Sequence, residues 1–134
     1  MKKHTTKYVI ALLLLFVVSF EVSAQTTLES QLTNLNLASF INKPIDSLLA
    51  KIPVGYSQMI VTSGCNVFLA GGIAIGYPSE YDIDIRAYDF QHVTRRNISR
   101  VPSAQAWPIH LMRKEKIASI VIYKNWTVIN SAGE

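Results

Sequence analysis

Ile45, Leu48, Leu49 and Ile52 recur at i, i+3, i+4 and i+7 within Lys43–Pro53, the spacing of one face of an α-helix. Pro44 suits the first helical position, where its missing N–H costs nothing, and it drives Lys43 to the extended conformation of a cap. Asp46 then falls in the first turn, where a carboxylate complements the helix dipole and can reach back to the cap N–H. Pro53 and Gly55 end the pattern. Burying the four apolar side chains would contribute roughly 1.5–3 kcal/mol each, but a helix this short does not hold alone. It needs a surface to lie on.

After Pro53 the period changes from 3.6 to about 2, which predicts strands over Tyr56–Thr62, Asn66–Tyr77, Tyr81–Phe90 and Ile117–Tyr123, with Trp126–Ile129 as a short last one. In Asn66–Tyr77 the odd positions Val67, Leu69, Ile73, Ile75 and Tyr77 are large and the even positions Ala70, Gly72, Ala74 and Gly76 small, and Gly71-Gly72 suggests a bulge or bend. Tyr81–Phe90 alternates most cleanly. Tyr81, Ile83, Ile85 and Ala87 face one way, while Asp82, Asp84, Arg86 and Tyr88 face the other, as in an antiparallel strand with one wet face. Ile117–Tyr123 is apolar on both sides and suits the sheet interior.

Upstream, Leu28, Leu32 and Leu35 lie at helical spacing, and Thr26 with Glu29 matches a capping box, so a second short helix is expected there. Trp107–Lys116 reads as a helical turn with Trp107, Leu111 and Met112 facing inward, and Ser131–Glu134 is expected to fray. The fold class is therefore α+β: short N-terminal helices packed on an antiparallel sheet of about four strands.

The first residues change the accounting of charge. Lys2, Lys3 and Lys7 precede thirteen uncharged residues, Tyr8–Phe20, and Val22 and Ala24 supply small residues before a cleavage point. This describes a secretory signal over 1–24, cleaved after Ala24, with 25–134 as a single small domain exported to the periplasm or beyond. Thirteen residues fall short of the roughly 20 needed to cross a bilayer, so no stable membrane span is expected after cleavage. Losing Lys2, Lys3, Lys7 and Glu21 reduces the formal charge of +4 to +2, which argues against a nucleic-acid partner. The lysine-rich start has a bacterial character, so the glycosylation sequons at Asn97 and Asn125 are expected to go unused.

Candidate chemistry is sparse. Cys65 is the single cysteine and cannot form an internal bridge; it reads as a small apolar side chain, or else as a thiol exposed in the turn Ser63–Asn66. His92 and His110 stand too far from any other Cys or His to suggest a zinc site, and no nucleophile elbow is present. G-G-x-x-x-G at Gly71–Gly76 lacks the spacing and the following helix of a phosphate cradle. Asp82 and Asp84 share a face and could chelate, but a solvated face with Arg86 alongside explains them equally well. No catalytic set, metal site or cofactor is expected. The polar stretch Gln91–Gln105 reads as a long loop, and Arg95, Arg96 and Arg100 within it are the candidate binding residues.

The run Asn42–Leu49 followed by Ile52-Pro53, ahead of successive antiparallel strands, resembles the small bacterial envelope modules of the BamE and beta-lactamase-inhibitor-like kind. That resemblance implies a short helix on an antiparallel sheet and a role in binding other proteins or assisting envelope assembly. The functional expectation is an exported, non-enzymatic module that binds a protein or cell-envelope partner. The alternative is a small secreted hydrolase or ligand-binding protein using the 91–110 loop.

Overall fold

The computed structural model describes residues 27–63, 71–93 and 108–133. Helical residues 27–33 (α1) lead through a 3₁₀ turn, Leu37–Phe40, to a helix at Ile45–Leu49 (α2). The strands are Gln58–Ser63 (β1), Gly71–Gly76 (β2), Tyr81–Ala87 (β3), Ser119–Lys124 (β4) and Thr127–Gly133 (β5), with a short helix at Ile109–Met112 (α3) before β4. All pairings are antiparallel and the five strands lie in chain order, β1-β2-β3-β4-β5. The architecture is α+β, and the sheet has one strand more than the expected four or so.

The alternation in β3 settles which face is dry. Tyr81, Ile83, Ile85 and Ala87 are buried, while Asp82 and Arg86 are exposed. Register then carries the pattern across the sheet. Ile73, Ile85 and Ile120 form one transverse row, and Ile75, Ile83 and Ile122 form the next. All six are buried, and β-branched neighbours across strands pack well on a pleated surface. Leu32, Leu37, Ile45, Leu48, Ile52 and Met112 belong to the same core cluster.

The organising helix is shorter than its apolar pattern suggests. It begins after Pro44, which is its cap rather than its first residue, and turns beyond Leu49 carry Ile52 into the core. Because proline has no N–H, Asp46 has no cap donor to reach back to; its carboxylate instead accepts a 2.5 Å bond from Arg113 Nε. The free N–H groups of the first turn find distant partners. Ile45 N–H donates to the Glu115 carbonyl and Asp46 N–H to that of Arg113. Pro44 bridges Lys116, and Asn42, at a φ of 63°, donates to the Ile117 carbonyl. Asparagine is one of the few residues that tolerates this left-handed conformation.

Two further expectations need correction. Among the described pairings, β2 enters without a register shift, and the irregularity falls between Ile122 and Tyr123, opposite β5. Gly71-Gly72 serves close approach instead, since a Cβ at Gly72 would overlap the Ile85 carbonyl. Residues 131–133 do not fray: β5 extends to Gly133, which pairs with Ser119 at a φ of 82° that glycine accepts freely. In the 107–116 segment, Met112 is buried in the core and Leu111 packs against it, as expected; Trp107 lies outside the described residues.

Candidate functional site

Among the described residues, the sheet's second face carries exposed and half-buried side chains. Its central rows run Gln58, Gly76, Asp82, Tyr123, Val128 and Ile60, Ala74, Asp84, Val121, Ser131. The small residues of β2 leave a trough beside the carboxylates of β3. Ala74, Asp82, Asp84, Tyr123 and Trp126, with Ile83 beneath them, line an open cleft of about 400 Å³.

Trp126 is held at the rim by turn chemistry. Asn125 and Trp126 form a two-residue connection between β4 and β5, with φ of 48° and 65°. Positive φ at both positions is what a type I′ hairpin needs, and the pairing that suits it is Asn-Gly. A tryptophan in the second position carries a steric cost of roughly 1–2 kcal/mol. It is also 90% exposed. The turn itself is anchored: Asn125 N–H donates to the Glu80 carbonyl and Asn125 Nδ2 to Glu80 Oε2, each at 2.9 Å, which locks the β4–β5 turn to the β2–β3 turn.

The two aspartates differ. Arg86 Nε donates to Asp84 Oδ2 at 3.1 Å and its terminal nitrogen forms an ion pair with the same oxygen at 3.0 Å, so the expected neutralisation on the strand falls on Asp84. Among the described residues Asp82 has no hydrogen-bonding or ionic partner. Its carboxylate leans over its cross-strand neighbour Gly76, where a Cβ would come within 3.4 Å of Oδ1. Among the described residues, no group of three His, Cys, Asp or Glu side chains could hold a metal ion.

Arg95, Arg96 and Arg100 lie outside the described residues, as does Cys65. The start of the loop is described, and it is tied down by a residue with no sequence signature. Glu115 is 1% exposed, and its carboxylate accepts the N–H groups of Gln91 at 2.8 Å, of His92, and of Val93 at 2.6 Å. His92 Nδ1 approaches the same carboxylate at 3.6 Å. His110 is exposed on α3, and the structure brings neither histidine to the cleft.

A second polar cluster joins α1 to the buried face of the sheet. Glu29 accepts from Tyr81 Oη at 3.0 Å and from Lys124 Nζ at 2.6 Å. The Lys124 and Tyr81 donors hold the Glu29 carboxyl below its ordinary range, and Glu29 raises Lys124 in turn. Burial, then the Glu29 hydrogen bond, pushes the Tyr81 phenol up. This is structural wiring, on the opposite side of the sheet from the cleft. Comparison of the chain with protein-family models, with curated proteins and with solved structures finds no match. Among the described residues no helix is long and apolar enough to cross a membrane.

Trp126 and Tyr123 were not candidates on sequence grounds, although one signal was available. A hairpin whose turn reads Asn-Trp where Asn-Gly is favoured puts a large aromatic at a position that folding alone disfavours. Seeing it requires knowing that β4 ends at Lys124.

Proposed function

We propose that this chain is an exported, non-enzymatic module in which the short N-terminal helices back the sheet and the open face binds a protein or cell-envelope partner. The resemblance to small envelope modules is part of this reading, and it accounts for a short helix, a small core and an antiparallel sheet. The observation that carries it is Trp126: an indole left 90% exposed, on a braced turn, at the edge of a cleft. Exposed aromatics beside a concave apolar floor are characteristic of binding hot spots. The Arg95, Arg96 and Arg100 loop is a second contact region in the same proposal.

The test is direct. Protein partners captured from an envelope extract by the wild-type chain are identified, and their affinity is remeasured by calorimetry with Trp126→Ala and with Arg95, Arg96 and Arg100 all reversed to Glu. Loss of Trp126 should weaken binding at least tenfold, about 1.4 kcal/mol, with little change in melting temperature. Affinity untouched by Trp126→Ala but reduced by the arginine reversals would move the contact to the loop; affinity untouched by either would overturn both.

A further inference from the structure

We infer that the cleft under Trp126 receives a cationic side chain, the ammonium of a lysine or the guanidinium of an arginine, presented by a protein partner; this rests on the open face being the binding surface. Two features select a cation. The walls offered by Tyr123 and Trp126 are aromatic, and the negative face of an aromatic ring attracts an ammonium or guanidinium within about 6 Å. The carboxylate of Asp82 has no partner among the described residues, whereas Asp84 is already answered by Arg86. Among the described residues the local balance therefore leaves one uncompensated negative charge, and it lies at the lining of the cleft.

The surrounding charges agree. Lys124, the nearest basic residue in the β4–β5 hairpin, pairs across the strand with Tyr81 and is engaged by Glu29 on the buried side of the sheet. It is thus turned away from the cleft. A phosphate or carboxylate ligand would meet Asp82 with like charge, while a cation would meet it as a counterion. The floor also fits a side chain rather than a flat surface. Ala74 keeps the floor low beside the Asp82 carboxylate. At about 400 Å³ the space admits one extended lysine or arginine with its aliphatic stem against Ala74 and Tyr123.

The experiment is a ¹H–¹⁵N titration of the purified protein with three probes: a capped trilysine peptide, the same peptide acetylated on every ε-nitrogen, and neutral chitotriose. Trilysine should produce saturable shifts at the Trp126 indole N–H and at the amides of Gly76, Asp82 and Tyr123. Acetylation, or the variant Asp82→Asn, should weaken that binding at least tenfold, with unshifted resonances elsewhere showing an intact fold. Equal binding of the acetylated peptide or of chitotriose, or indifference to Asp82→Asn, would overturn the cation assignment while leaving the cleft as the binding surface. Failure of all three probes to shift the cleft resonances would also overturn it. The partner affinity of Trp126→Ala judges the surface separately.

Discussion

Glu115 shows how much one side chain can organise. Its buried carboxylate satisfies three consecutive backbone N–H groups, and a carboxylate suits the task because it is acceptor-only. Glu115→Gln would turn an amide N–H₂ toward donors and leave at least one N–H unsatisfied. We expect a loss of about 1–3 kcal/mol in urea unfolding, together with faster amide exchange at residues 91–93. An unchanged midpoint would mean that the clasp adds nothing to stability. Tyr77 makes a complementary case. Its hydroxyl donates to the Pro53 carbonyl at 2.7 Å, and burial, with Tyr56 nearby, pushes its pKa up to about 12. An unfolded tyrosine titrates near 10, so the protonated form is favoured by folding. The stabilising contribution is complete below about pH 10 and is lost as the pH rises through 12. Spectrophotometric titration of the folded protein should show a phenol ionising near pH 12 that is missing in Tyr77→Phe.

The elements depend on partners far away in sequence. α2 has five residues, and its first-turn donors are satisfied by the Arg113 and Glu115 carbonyls. At the other end of the fold, Asn130 on β5 donates from Nδ2 toward the carbonyls of Leu32, Thr33 and Leu35, at 3.0–3.1 Å. These are carbonyls at and beyond the end of α1, the groups that a helix terminus leaves without internal partners. Asn130→Ala should therefore cost about 0.5–1.5 kcal/mol and speed amide exchange in α1 and the following turn more than in β1 or β2. Uniform exchange changes across the sheet would show that Asn130 matters to β5 alone.

At the scale of the whole molecule, one face of the five-stranded antiparallel sheet carries the core, and the other, among the described residues, is exposed or half-buried. The proposed export has its own check, independent of any partner. Mass spectrometry of the secreted product should give an N-terminus at Gln25, and a product retaining Tyr8–Phe20 would make the chain membrane-anchored instead. Removing the leader also lowers the net charge to +2, so weak salt dependence of overall surface binding is expected away from the cleft.

The alternation of Tyr81–Ala87, the 3.6-residue spacing of Ile45–Ile52 and the interior character of β4 were legible in the sequence, because period follows from backbone geometry and each strand or helix face must be buried somewhere. They were enough for an α+β fold with an antiparallel sheet, and enough to place Asp82 and Asp84 on the wet face. Other features depend on which segments meet. The full length of β5 follows from pairing Gly133 with Ser119, and the anchoring of α2 follows from the path of residues 113–117. Glu115 is an ordinary charged residue until three N–H groups converge on it. The cleft, likewise, exists because register sets Ala74 of β2 beside Asp82 and Asp84 of β3 and Tyr123 of β4, three segments whose mutual alignment local patterning does not encode.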